Sequence, residues 1–120
     1  MPVKKILIVD DSPTERYVMS EFLMSRGFDV ITAENGQVGI EKAKEELPDL
    51  VLMDVVMPGL NGFSATRTIV RDRAIRHIPI IVCTSKGHES DKIWGLRQGA
   101  LDYIVKPIDK EELLAKIAML

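Results

Sequence analysis

Four short β-type runs in this chain each end on side chains able to do chemistry. Asp10 and Asp11 follow Ile6-Leu7-Ile8-Val9, and Asp54 follows Leu50-Val51-Leu52-Met53. Thr84 and Ser85 follow Ile80-Ile81-Val82-Cys83, and Lys106 and Pro107 follow the run from Leu101 to Val105. If the fold gathers Asp10, Asp11 and Asp54, they cannot stay bare, because two carboxylates roughly 4 Å apart repel by about 4 kcal/mol at an effective dielectric of about 20. Such a cluster must bind a proton, a cationic side chain or a metal. Oxygen donors with no nearby His or Cys favour Mg²⁺, a hard cation that keeps several waters and welcomes phosphate oxygens. Lys106 carries a compact ammonium on a long stem and can reach the same spot, while Thr84 adds a hydroxyl donor. Acid, Mg²⁺, lysine and hydroxyl are the equipment of phosphoryl transfer, which needs positioning and charge neutralisation above all. A carboxylate can itself be the nucleophile and become an aspartyl phosphate. Asp54, on the middle run, is the natural candidate.

Positioning these residues falls to a strict alternation of β-type runs and helical patterns. Val3–Val9 predicts the first strand. Ser12 suits an N-cap with Pro13 at the first helical position, and the helix that follows carries Val18, Phe22 and Leu23 before ending near Arg26-Gly27. Phe28–Thr32 predicts a second strand and Gln37–Leu47 a second helix, apolar at Val38, Ile40, Ala43 and Leu47 and stopped by Pro48. The continuous run Leu50–Met53 suits a strand covered on both faces, and a helix is expected from about Phe63 to Arg73. Ile80–Cys83 reads as a fourth strand, about Glu89 to Gln98 as a helix closed by Gly99, and Leu101–Val105 as a fifth strand. Asp109 caps a last helix with Leu113, Leu114 and Ile117 as its stripe. Parallel neighbours need crossover connections, so this alternation implies an α/β, three-layer, doubly wound (βα)5 fold. The expectation is one domain over residues 1–120, with a five-stranded parallel sheet in flavodoxin-like order 2-1-3-4-5. In such sheets ligands bind beyond the carboxyl ends of the strands, where all the residues named above fall.

Composition narrows the class. The chain has 120 residues, enough for one core, with 46% apolar and 28% charged residues. Its net charge of −2 gives no footprint for nucleic acid. No run approaches the ~20 apolar residues of a membrane span, and the run after Met1-Pro2-Val3-Lys4-Lys5 is too short for a signal-peptide core. One cysteine, Cys83, excludes an internal disulfide and suits the reducing cytoplasm.

Each residue also has a plain structural reading. An Asp at a strand end often caps a helix, and Asp10-Asp11 could simply serve the amides that open the first helix. A Lys before Pro is often a solvated loop residue, and Tyr103 an ordinary half-buried strand residue. Cys83 reads as inert and buried, Trp94 as a packing residue rather than a partner-facing anchor, and neither His77 nor His88 suggests a site. The joint placement of all the polar specialists at one rim favours chemistry over these readings.

These segments resemble the response-regulator receiver family, the phosphorylated half of two-component signalling. The matching stretches are Ile6–Ser12, Leu52–Gly62 with Asp54-Val55-Val56-Met57-Pro58-Gly59, and Tyr103-Ile104-Val105-Lys106-Pro107. The resemblance implies Asp54 as phosphoacceptor, with Asp10, Asp11, Asp54 and the Val56 backbone carbonyl as Mg²⁺ ligands. It implies Lys106 and Thr84 as partners of the phosphoryl group, Tyr103 as a ring that swings inward, and a cis Lys106–Pro107 peptide. Phosphate would come from the phosphohistidine of a kinase, and a protein target would sense the fourth helix, fifth strand and fifth helix, the chain acting as a monomer or weak dimer. Val56 and Lys86 offer neither carboxylate nor amide to orient an attacking water, so the phosphoryl group is expected to persist. The segments Asp11–Glu15, Asn61–Arg67 and Asp91–Ala100 are similar to stand-alone receivers of twitching-motility (type IV pilus) chemosensory systems. Two other possibilities stand beside this. One is a receiver cut from a longer regulator with a DNA-binding output, although the chain ends as its fifth helix finishes. The other is an Mg²⁺-dependent phosphatase with an Asp nucleophile, which wants a second Asp where this chain has Val56.

Overall fold

A computed structural model describes residues 2–57, 59–85 and 89–120 of the chain. Ten elements alternate along it: β1 (Lys5–Val9), α1 (Pro13–Ser25), β2 (Asp29–Ala33), α2 (Gly36–Glu46), β3 (Leu50–Asp54), α3 (Gly62–Arg71), β4 (Ile80–Ser85), α4 (Glu89–Arg97), β5 (Asp102–Lys106) and α5 (Lys110–Ala118). The five strands are parallel and lie in the order β2-β1-β3-β4-β5, the expected doubly wound arrangement.

Period-two alternation sorts the strand side chains onto two faces. Ile6, Ile8, Leu50, Leu52, Ile81, Cys83 and Ile104 share one apolar cluster with Leu23 of α1 and Leu113 and Ile117 of α5. Leu7, Val9, Val51, Met53, Ile80 and Val82 share the other with Ile40 and Ala43 of α2 and Ala65 and Ile69 of α3. Gly95 of α4 lies against Val82 on this second face, where an added Cβ would stand 2.7 Å from Val82 Cγ2. Helices therefore cover both faces, which is why Ile6–Val9, Leu50–Met53 and Ile80–Cys83 are apolar at every position.

Local chemistry sets the helix starts. Ser12 Oγ accepts from the Glu15 N–H, Asn35 Oδ1 from Val38, Asn61 Oδ1 from Ser64, and Asp109 Oδ1 from both Glu111 and Glu112. Two predicted core positions are corrected. Val18 of α1 is 46% exposed, since it stands beside a cleft rather than under the sheet. Leu47 is 56% exposed because it ends α2 in the left-handed conformation, at φ 47°, which turns it out of the helical stripe.

Candidate functional site

Three predicted strands run further than their apolar patterns. Asp54 is the last residue of β3, Thr84 and Ser85 end β4, and Lys106 ends β5. These strand-end residues are thus held by sheet hydrogen bonding, whereas Asp10 and Asp11 lie in the loop between β1 and α1. Asp54 pairs in register with Cys83, and Thr84 with Val105. Alternation places Asp54 and Lys106 on the face of α1 and α5, and Thr84 and Tyr103 on the opposite face. Tyr103 packs against the α2–α3 cluster, as that alternation requires.

Asp10 and Asp54 are buried at 7% exposure each, whereas Asp11 is exposed. One carboxylate oxygen from each of the three lies within 4.8 Å of the others. Asp10 does not cap α1, the simpler role open to it. Its Oδ1 accepts instead from the Ser12 N–H at 2.9 Å, which fixes the loop between β1 and α1. Arg16 Nη1 donates to the Asp10 carbonyl at 2.7 Å and secures the same loop. Lys106 Nζ lies 2.9 Å from Asp54 Oδ1, 2.9 Å from Glu15 Oε2 and 3.3 Å from Asp10 Oδ2. The Lys106–Pro107 peptide is cis.

Burial and like charge act together on the acids. Asp10 is raised to about 6, chiefly by burial, with Glu15 and Asp54 adding to the rise while the Ser12 N–H and Lys106 oppose it. Burial also raises Asp54, and its hydrogen bond to Lys106 only partly offsets this. For Lys106 burial works against the ammonium, but the bonds to Asp54 and Glu15 and the charges of Asp54 and Asp10 prevail and hold it above its ordinary value. Among the described residues the carboxylates of this centre outnumber the Lys106 ammonium, so the centre can take up further positive charge. Three hard oxygen donors at mutual distances within 4.8 Å fit Mg²⁺.

Thr84 is wholly buried, and among the described residues its hydroxyl oxygen has no hydrogen-bond partner. An orphaned buried hydroxyl is uncommon, and one at the rim that carries Asp54 and Lys106 can serve a group that arrives there. Beside the acids a cleft of about 270 Å³ opens between α1 and the start of α5, lined in part by Val18, Met19, Leu52, Pro107 and Ile108. Cys83 lies at this cleft but is inert, since burial pushes its thiol up to about 12.

The remaining predicted residues are distributed as follows. The Tyr103 ring is half-buried between two ammonium groups, Lys92 Nζ at 5.2 Å and Lys116 Nζ at 5.6 Å from its centroid. The Val56 side chain is exposed. Lys86 and His88 lie outside the described residues. Trp94 does not fill the core: it is 46% exposed, and Ile93, Leu96 and Leu101 are exposed as well. Glu15 reaches Lys106 although nothing singled it out as a site residue. The Ser12 N-cap spacing puts Glu15 in the first turn of a helix that begins at the site, but does not encode its contact with Lys106.

Comparison with known proteins agrees with this geometry. The response regulator receiver domain family matches residues 6–118. Protein PilH of Pseudomonas aeruginosa is 55% identical over 113 residues, covering 94% of this chain and 93% of that protein. The phosphate regulon transcriptional regulatory protein PhoB of the same organism is 41% identical over 114 residues, and the match spans 95% of this chain but 50% of PhoB. Among solved structures, the chemotaxis protein CheY4 of Vibrio cholerae superposes with a TM-score of 0.89 at 31% identity, covering 98% of both chains. The receiver domain of a Pseudomonas aeruginosa sensor histidine kinase, solved with a magnesium ion in its active-site cleft, superposes with a TM-score of 0.89 at 32% identity, covering 98% of this chain and 96% of that one. By fold, by acid centre and by sequence, the chain belongs to the response regulator receiver family.

Proposed function

We propose that residues 1–120 form one receiver domain that accepts a phosphoryl group on Asp54 from the phosphohistidine of a kinase and answers by reshaping a protein-binding surface. The observation that carries this reading is the convergence of the Asp10, Asp11 and Asp54 oxygens within 4.8 Å, with Lys106 bonded to Asp54 at 2.9 Å. In the transfer an Asp54 oxygen bonds to phosphorus as the donor's P–N bond breaks, and the imidazole leaves with the electron pair and takes up a proton. Mg²⁺, held by Asp10, Asp11, Asp54 and the Val56 carbonyl, would supply charge neutralisation for the phosphoryl oxygens. Lys106 pairs with one of those oxygens and Thr84 donates its buried hydroxyl to another. Thr84 and Tyr103 belong to the same face of the sheet, so movement of Thr84 makes room for the Tyr103 ring to turn inward. The surface of α4, β5 and α5 then changes, and a protein target senses it.

The chain acts by switched contact rather than by turnover of a small molecule. Its likeness to PilH, with the segments Asp11–Glu15, Asn61–Arg67 and Asp91–Ala100, supports a place in a chemosensory pathway of twitching motility, in the cytoplasm. Val56 and Lys86 supply neither carboxylate nor amide to orient water, so the phosphoryl group persists; loss as fast as in quick chemotaxis receivers would contradict this. Intact-protein mass after incubation with Mg²⁺ and acetyl phosphate tests the central reading. It predicts one Mg²⁺-dependent phosphate adduct that Asp54→Ala lacks. An unmodified chain, or an adduct that survives in Asp54→Ala, would overturn it.

A further inference from the structure

An ammonium has three N–H bonds to give, and at Lys106 three carboxylates stand ready to take them, from Asp54, Glu15 and Asp10. A phosphoryl oxygen can therefore pair with Lys106 only by displacing one of them. Asp10 and Asp54 belong to the group of oxygens that suits a metal, and Glu15 does not. With the other two turned to a cation, Glu15 is the carboxylate left to compete for the lysine.

Glu15 has also been released from the usual duty of its position. Ser12-Pro13-Thr14-Glu15 has capping-box spacing, in which the glutamate reaches back to the N-cap N–H. Half of that box is present, since Ser12 Oγ accepts from the Glu15 N–H at 3.2 Å. The other half is taken by Asp10, whose Oδ1 accepts from the Ser12 N–H. The Glu15 carboxylate, spared as a cap, lies 2.9 Å from Lys106, and its hydrogen bond to that lysine is the main cause that holds it below the ordinary glutamate value.

We infer that Glu15 is a positioning residue that draws Lys106 towards α1 and so slows capture of the phosphoryl group; this rests on Asp54 being the acceptor. In reaction with acetyl phosphate, an Asp54 oxygen bonds to phosphorus, the P–O bond to the acetyl group breaks, and acetate leaves with the electron pair. Lys106 must by then have moved from a carboxylate to a phosphoryl oxygen. Neutralising Glu15 weakens its hold without changing its shape. The pair is half in solvent, so the expected gain is that of an exposed ion pair, about two- to five-fold in rate.

The test compares adduct formation by intact mass, at saturating Mg²⁺ and fixed acetyl phosphate, in the unaltered chain, Glu15→Gln, Lys106→Ala and the double variant. Glu15→Gln should speed the reaction about two- to five-fold when Lys106 is present and leave it unchanged in the Lys106→Ala background. Equal rates for Glu15→Gln and the unaltered chain would overturn the inference. An equal gain in both backgrounds would too, because Glu15 would then act by its charge on the donor and not through the lysine. Absence of any adduct from all four proteins would instead remove Asp54 as acceptor, and the inference with it.

Discussion

Asp10 shows how burial, proton and metal compete at one carboxylate. The fold raises it to about 6, so over the acidic range the metal-free protein keeps a proton that the unfolded chain has released. Its contribution to stability is then fully present below the ordinary carboxylate value and is lost as pH rises towards 6. The gap corresponds to roughly 2–3 kcal/mol. In chelator at pH 7.5, Asp10→Asn should therefore be more stable than the unaltered chain by about that amount, and the two should converge near pH 4. Thermal melts across that range check this, and a difference independent of pH would contradict it. Asp49 and Asp72 are shifted the other way, but both proteins share them, whereas Glu15 is held down first by Lys106 and next by Asp10, so the part due to Asp10 goes with the substitution and trims the gain. The same proton would compete with Mg²⁺, so apparent affinity should fall as pH drops through about 6.

Among the elements, the junction of β3 with α3 bears most directly on Asp54. The Gly62 N–H donates to the Val55 carbonyl at 3.0 Å, and a Cβ on Gly62 would collide with the Asp54 carbonyl and lie 2.9 Å from Val55 Cα. Backbone cannot retreat as a flexible side chain can. Gly62→Ala should cost about 3 kcal/mol or more and impair adduct formation even at temperatures where the chain stays folded. A variant with unchanged melting temperature and adduct rate would show that the junction does not fix Asp54. The alternating pattern, the caps at Ser12 and Asp109 and the rim position of the acids were legible in the sequence, because each follows from local chemistry. Strand ends were less so: Asp54, Thr84 and Lys106 are polar, so apolar periodicity stopped one or two residues before the ladder does. The contact of Glu15 with Lys106, 91 residues apart, depended on tertiary placement that no local pattern encodes.

Taken whole, the molecule puts Asp54 and Lys106 on the α1–α5 side of the sheet end and Thr84 and Tyr103 on the other, so in the proposed switch the first pair would do the chemistry and the second would report it. Ile93, Trp94 and Leu96 on α4, and Leu101 just before β5, are each exposed, and α4 packs against β5, the strand that carries Tyr103. Trp94 is the chain's one tryptophan, so its fluorescence isolates this surface. Phosphorylation should shift its emission, and Tyr103→Ala should reduce that shift; a spectrum identical before and after phosphorylation would exclude α4 from the output surface. The central claim concerns one atom group, and borohydride tests it most directly. Reduction converts an aspartyl phosphate to homoserine, which peptide mass spectrometry locates by residue. After incubation with Mg²⁺ and acetyl phosphate, homoserine at position 54 and at no other aspartate is the result predicted here. Homoserine at Asp10 or Asp11, or none anywhere, would contradict it.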